Sequence, residues 1–216
     1  MAKIYLDSAD PAITGLIRDY RLAGATSNPT ILLRDACIQS SFIERVPDEA
    51  MYFVQTIGEK ASEMIDEGRR IYTARAGCAV KIPATKEGLK AMAVLVHEGI
   101  PVLATAIYSF SQAVLALNMG VHYIAPYLNR MLNRDYQGYE IIQRIQHYKQ
   151  DQRIDCEVVA ASFKSLDQIL QVIQGGVDAV TVPLPLFYEW IENEDADKAV
   201  KDFKHDYSLL LADKHM

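Results

Sequence analysis

Residues 78–99 read CAVKIPATKEGLKAMAVLVHEG. The first six, Cys78 to Pro83, are apolar apart from Lys81. A short β-branched run ending in proline predicts a strand buried on both faces. Thr85 stands where a helix N-cap belongs. From Lys86 to His97 the apolar residues recur at helical spacing, and Gly99 follows in a C-cap position. The stretch is one strand, one tight turn and one helix.

The same unit recurs in both directions along the chain. Strands are predicted at Ile4–Asp7, Gly24–Asn28, Met51–Thr56, Ala79–Pro83, Pro101–Tyr108, His122–Asn129, Cys156–Ser162 and Ala179–Pro183. Helices are predicted at Asp10–Tyr20, Glu59–Arg70, Lys86–His97, Ser111–Asn118, Tyr139–Gln150 and Leu166–Gln174, with an extra C-terminal helix at Ala196–Leu211. Ser165 is a second N-cap candidate, and Gly120 and Gly175–Gly176 are further C-cap candidates. Strands alternating with helices imply parallel pairing through right-handed crossovers. An open doubly wound sheet and a closed barrel both fit that rule. A nucleotide-binding open sheet carries a glycine-rich first turn, and the first turn here, LDSADP, has no glycine. Eight strands match an α/β (β/α)8 TIM barrel, read as one domain over residues 1–216 with an additional C-terminal helix.

In such barrels the active site lies at the C-terminal ends of the strands. The residues expected there are Asp7, Thr26 and Asn28, Gln55, Lys81, Thr105, Tyr127 with Asn129 and Arg130, Ser162, and Thr181. Wet strand ends explain one or two polar groups, but explain poorly a lysine, a carboxylate, a tyrosine and an arginine around one mouth. A lysine inside a buried parallel strand is costly unless it is paired or used. One reading is a structural ion pair, with Asp7 as partner. The other is an amine nucleophile, because apolar surroundings disfavour the protonated form of an amine. Gln55, Thr105 and Tyr127 are chemically able to hold one water and pass protons through it. Asp7 suits hydroxyl groups or an iminium charge, and Arg130 with Ser162 suits a phosphate.

The segments IYLDSAD, LAGATSNPTIL, VKIPATKEGL, GIPVLATAIYSFSQ, YIAPYLNR, VVAASFKS and VTVPLPL resemble the small transaldolases and fructose-6-phosphate aldolases, in the family's order and over nearly the whole chain. The resemblance implies a metal-free class I aldolase without a cofactor, whose Schiff-base lysine is Lys81. It implies that Asp7 and Asn28 contact the donor hydroxyls with Thr26 beside them. It places the catalytic water on Gln55, Thr105 and Tyr127, and the acceptor phosphate on Arg130 and Ser162. True transaldolases typically have glutamate at the position of Gln55 and phenylalanine at that of Tyr127. The pairing here is similar to the aldolase branch, which cleaves fructose 6-phosphate to dihydroxyacetone and glyceraldehyde 3-phosphate. The rival readings are a transaldolase moving a dihydroxyacetone unit between sugar phosphates, and a catalytically idle barrel with an assembly or regulatory role. The resemblance also implies a homo-oligomer, a pentamer or decamer. Two stretches depart from the family pattern: Arg34 to Arg45, and Met131 to Gly138, where Arg134 is either a further phosphate cation or a surface residue.

Composition sets outer bounds. A net charge of -6 makes nucleic acid an unfavourable partner while leaving room for a small basic pocket. Three dispersed cysteines without a CxxC motif read as thiols of a reducing compartment. No leader-like segment opens the chain and no apolar run is long enough to span a bilayer, so a cytoplasmic protein without membrane association is expected. The histidines His97, His122, His147, His205 and His215 show no metal-binding spacing. Phe187, Tyr188 and Trp190 are read as packing, and Glu192 to Asp195 as a solvated turn.

Overall fold

The computed structural model describes residues 1–75 and 77–213. Eight parallel strands close into a TIM barrel in sequence order: β1 (Lys3–Asp7), β2 (Gly24–Thr26), β3 (Met51–Gln55), β4 (Cys78–Pro83), β5 (Val102–Ile107), β6 (Tyr123–Pro126), β7 (Glu157–Ala160) and β8 (Ala179–Pro183). β8 pairs back onto β1 from Lys3↔Ala179 to Asp7↔Pro183. Helix α1 (Ile13–Asp19) follows β1, and α2 (Pro29–Arg34) and α3 (Gln39–Arg45) follow β2. Next come α4 (Ala61–Ala74) after β3, α5 (Lys86–His97) after β4 and α6 (Phe110–Asn118) after β5. α7 (Leu128–Leu132) and α8 (Gly138–Asp151) follow β6, α9 (Leu166–Gln174) follows β7, and α10 (Leu184–Ile191) and α11 (Glu194–Asp213) follow β8.

The expected caps are in place. Thr85 Oγ1 accepts the Gly88 N–H at 3.0 Å, and Ser165 Oγ accepts that of Gln168 at 3.3 Å. Gly99, Gly120 and Gly176 take positive φ after their helices, as C-terminal caps do.

Several strands are shorter than their apolar runs, because a helix takes over the end. β2 stops at Thr26 since Asn28 caps α2 and Pro29 occupies its first turn. β6 stops at Pro126, and the expected strand residues Leu128 and Asn129 open α7 instead. β7 stops at Ala160, with Ser162 in the left-handed region at φ 66°. The short helices α2, α3, α7 and α10 were hidden in stretches read as loop or strand. Phe187 of α10 is buried and Trp190 packs on the core, whereas Tyr188 is exposed. Glu192 and Asn193 are exposed, and α11 begins at Glu194.

Alternation along each strand divides the core. Leu6, Val54, Val80, Ile82, Val158 and Val180 face the helices. Tyr5, Phe53, Ala79, Leu103, Val159 and Ala179 fill the barrel interior. The Phe53 ring meets Tyr5 and Tyr123 edge-on at centroid distances of 5.2 and 4.9 Å, which plugs the barrel below its mouth. No helix among the described residues is long and apolar enough to cross a membrane.

Candidate active site

Period-two alternation carries the interior columns up into the mouth. Two residues beyond Tyr5 is Asp7, beyond Phe53 is Gln55, beyond Ala79 is Lys81, beyond Leu103 is Thr105, beyond Ala125 is Tyr127 and beyond Ala179 is Thr181. The polar layer therefore rests on an apolar one. A cavity of about 620 Å³ opens above it, and its walls include Asp7, Asn28, Lys81, Tyr127, Arg130 and Ser162.

Lys81 is 3% exposed. Its Nζ donates to the Ser27 carbonyl at 3.2 Å. Among the described residues no carboxylate comes within ion-pairing distance of it. The salt-bridge alternative with Asp7 is not what the barrel builds. The amine faces the cavity with a single weak tether, a state suited to attack on a carbonyl.

Asp7 accepts the Thr26 hydroxyl at 2.6 Å, and Thr26 meets Thr181 at 2.7 Å. Burial pushes the Asp7 carboxyl above the usual carboxylate range; the Lys81 charge and the Thr26 hydrogen bond pull the other way without cancelling it. Asn28 spends its Oδ1 on the Ile31 N–H at 3.0 Å as the cap of α2. Its amide nitrogen is left to donate into the cavity.

On the opposite wall Tyr127, 8% exposed, shares a 2.8 Å hydrogen bond between its hydroxyl and Thr105 Oγ1. The pair depends on a break in β5. Ala106 has φ 57°, and the β5–β6 register shifts between Ala104 and Ile107. Leu103 and Ala106 then both pack toward the interior while Ala104 and Ile107 pack outward. A left-handed alanine costs on the order of 1 kcal/mol, and such strain gathers at functional sites. Arg130 lies with its guanidinium 5.0 Å from the Tyr127 ring centre and donates from Nη1 to the Tyr108 hydroxyl at 3.2 Å. Arg134 is exposed and stacks on Tyr108 at 5.0 Å.

Gln55 continues the interior column of Phe53 into the mouth. It is the register partner of Lys81, yet it forms part of the wall of a separate cavity of about 420 Å³ between α3 and α4. No hydrogen bond joins it to the Thr105–Tyr127 pair. Ser162 lies on the wall with Arg130, its carbonyl accepting the Asn129 N–H at 2.8 Å. The sequence reading missed Arg34, Asn133 and Lys164 as cavity residues and Tyr108 as the support of Arg130. Arg34 lay in a stretch assigned to no element. His215 falls outside the described residues.

The family model for Transaldolase/Fructose-6-phosphate aldolase matches residues 4–215. The chain belongs to this family. Lys81 is thus a buried lysine on the fourth strand of a transaldolase-family barrel. Solved structures with the same fold include a mandelate oxidase variant with an FMN adduct, at TM-score 0.62 and 17% identity over 84% of this chain and 64% of that one. A flavocytochrome b2 variant matches at TM-score 0.59 and 12% identity, over 85% of this chain and 56% of that one. The flavin-binding domain of baker's yeast flavocytochrome b2 matches at 0.57 and 11%, over 83% and 56%. The transaldolase-family chain spans less than two thirds of the length of each, and the likeness shows the barrel alone.

Proposed function

We propose that this chain is a class I aldolase that cleaves a phosphorylated ketose, fructose 6-phosphate or a close relative, to dihydroxyacetone and an aldehyde phosphate. The observation that carries the reading is a buried lysine without a carboxylate partner, opening on a cavity whose walls hold four cationic side chains (Arg34, Lys81, Arg130 and Lys164) and one acidic one, Asp7. In a chain of net charge -6 that local excess favours an anionic substrate.

Lys81 Nζ attacks the ketone carbon, and the carbinolamine loses water to give an iminium. Asp7, which interacts electrostatically with Lys81, balances the iminium charge and binds donor hydroxyls together with the Asn28 amide. The C3–C4 bond breaks as the C4 hydroxyl passes its proton to a water held by Gln55, Thr105 and Tyr127, the aldehyde departs, and an enamine remains. Protonation at carbon by the Thr105–Tyr127 pair, followed by hydrolysis, frees the ketone. Arg130 and Ser162 hold the phosphate, with Tyr108 keeping the guanidinium over the wall.

The direct test is to measure free dihydroxyacetone released from fructose 6-phosphate against transfer of the three-carbon unit to erythrose 4-phosphate. Release is expected to dominate; transfer without release would make the enzyme a transaldolase. Tyr127→Phe removes the hydroxyl that would protonate the enamine. It is expected to lower ketone release by about 10²-fold or more while lowering imine formation, read by borohydride trapping, much less. Equal losses in both would count against that role.

Homo-oligomerisation belongs to the same reading. α11 carries Val200, Phe203, Tyr207 and Leu210 at heptad-like spacing, and Phe203 is 69% exposed. Such a stripe calls for a covering surface, and we assign it to a neighbouring copy in a ring. Phe203→Glu with Tyr207→Glu is expected to reduce the particle mass seen by light scattering at micromolar concentration. An unchanged mass would remove α11 from the interface.

A further inference from the structure

Arg34 and Lys164 are the cationic side chains of the mouth that the reaction above does not use, and of the two Arg34 is the one fixed by an ion pair. It ends α2, and its guanidinium is held from behind: Nε donates to Asp35 Oδ1 at 2.6 Å and Nη2 to Asp35 Oδ2 at 2.9 Å. Asp35 is itself fixed, accepting the Ser8 hydroxyl at 3.0 Å and the Ala9 N–H at 2.8 Å from the loop after β1. Burial opposes ionisation of Asp35, but the hydrogen bonds from Arg34, Ala9 and Ser8 outweigh it and hold the carboxyl below its ordinary range. The fork is therefore oriented before any ligand arrives, with Nη1 left without a protein partner among the described residues. Half of the Arg34 side chain is exposed, and it lines the same cavity as Lys81.

Topology sets its place relative to Arg130. Arg34 follows β2 and Arg130 follows β6, four strands apart in a ring of eight, so the two guanidiniums enter the mouth from opposite sides. Both act electrostatically on Asp7. With Arg130 given to the acceptor phosphate, Arg34 falls on the side of Asp7 and Asn28, where the donor's own carbons lie. At 1.5 Å per residue, the helical run from Asn28 to Arg34 sets the Arg34 Cα roughly 9 Å along the axis from that of the asparagine. A planar fork oriented by Asp35 and lining the cavity suits a phosphate ester, and on this side of the mouth that ester would be carried by the donor's hydroxymethyl carbon.

We infer that Arg34 is a specificity-determining residue that binds a second phosphate, so that the site accepts a ketone donor phosphorylated on its own carbon and, joined to an aldehyde phosphate, a ketose bisphosphate. The inference rests on the Schiff-base reading of Lys81 and adds a ligand subsite to it.

The test compares dihydroxyacetone phosphate with dihydroxyacetone as donor to unphosphorylated glyceraldehyde, in the intact enzyme and in Arg34→Leu. The intact enzyme is expected to use the phosphorylated donor. The ratio of kcat/KM for the two donors is expected to fall at least tenfold in Arg34→Leu, mainly through KM, and to recover in part in Arg34→Lys. A structural role for Arg34 would lower both values together and leave the ratio unchanged, which would overturn the inference. So would an intact enzyme that does not accept the phosphorylated donor. A selective loss toward glyceraldehyde 3-phosphate over glyceraldehyde would overturn it too, by moving Arg34 to the acceptor side. Borohydride trapping with dihydroxyacetone separates the two levels. An adduct on Lys81 with an unchanged donor ratio sinks only the Arg34 subsite, whereas no adduct sinks the Schiff-base reading and the subsite with it.

Discussion

Lys81→Met is expected to reduce turnover of any ketose substrate by on the order of 10⁴-fold or more while leaving the barrel folded. The activity loss follows from removing the buried amine of the mouth, since Lys164, the other amine on the cavity wall, is exposed. The retained fold follows from the surroundings of that amine. Its one hydrogen bond among the described residues is to the Ser27 carbonyl, and it neutralises no neighbouring carboxylate at bonding distance. Methionine has a similar length and is apolar, so it fills the space above Ala79 without burying a charge. Borohydride reduction in the presence of dihydroxyacetone, followed by peptide mass mapping, should place an adduct on Lys81 in the parent enzyme and none in the variant. Turnover within about tenfold of the parent's would show that the lysine is not the nucleophile. Unfolding of the variant would show that the Ser27 contact matters more than its length implies; Lys81→Arg, which keeps the donor but cannot form the imine, would then carry the activity test.

Asp7→Asn is expected to cut kcat by about 10²–10³-fold and, in the same protein, to raise thermal stability at neutral pH. The two effects share one cause. Burial lifts the Asp7 carboxyl above its ordinary range even with Lys81 nearby, so the folded state holds the proton to higher pH than the unfolded chain does. A group raised in this way favours folding below the unfolded value near 3.9 and loses that contribution as pH rises through the folded value. Above that window the ionised carboxylate weighs against the fold. Asparagine keeps an acceptor for the Thr26 hydroxyl and removes the charge. The melting temperature should therefore rise at pH 7.5 by a few degrees, about 2–4 °C for each kcal/mol in a chain of this size. The gain should shrink toward pH 4. A gain independent of pH, or a loss at pH 7.5, would mean that the carboxylate is stabilised by Lys81 rather than strained by burial. The acid limb of the parent's kcat/KM profile should lie above the ordinary carboxylate range and disappear in the variant.

Much of the mouth was legible because a strand repeats every two residues. Once Ala79 faces inward, Lys81 must do so as well, and the same holds from Tyr5 to Asp7 and from Ala179 to Thr181. Reading the polar residue at each strand end therefore found the layer around the lysine. It failed where the backbone leaves the period. Ala106 adopts positive φ and resets the column beyond it, so the place of Tyr108 under Arg130 could not be counted out from Leu103. Gln55 obeys the period in its pairing but also borders the cavity between α3 and α4, a space created by two helices packing outside the barrel. Arg34 was missed because α2 is one and a half turns long, too short for an apolar period to register.

The amino-acid order by itself determined the eight alternating units, the inward columns and the isolated lysine within an apolar strand, since each is a matter of local period and of what a buried face excludes. Tertiary structure alone decided which charges meet. That Lys81 has no carboxylate at bonding distance, that Asp7 is raised by burial, and that Arg34 and Arg130 enter from opposite sides all arise when residues from β1, β2, β4 and β6 are brought around one mouth. Electrostatic interaction depends on distance and on exclusion of water, and neither is set by position along the chain.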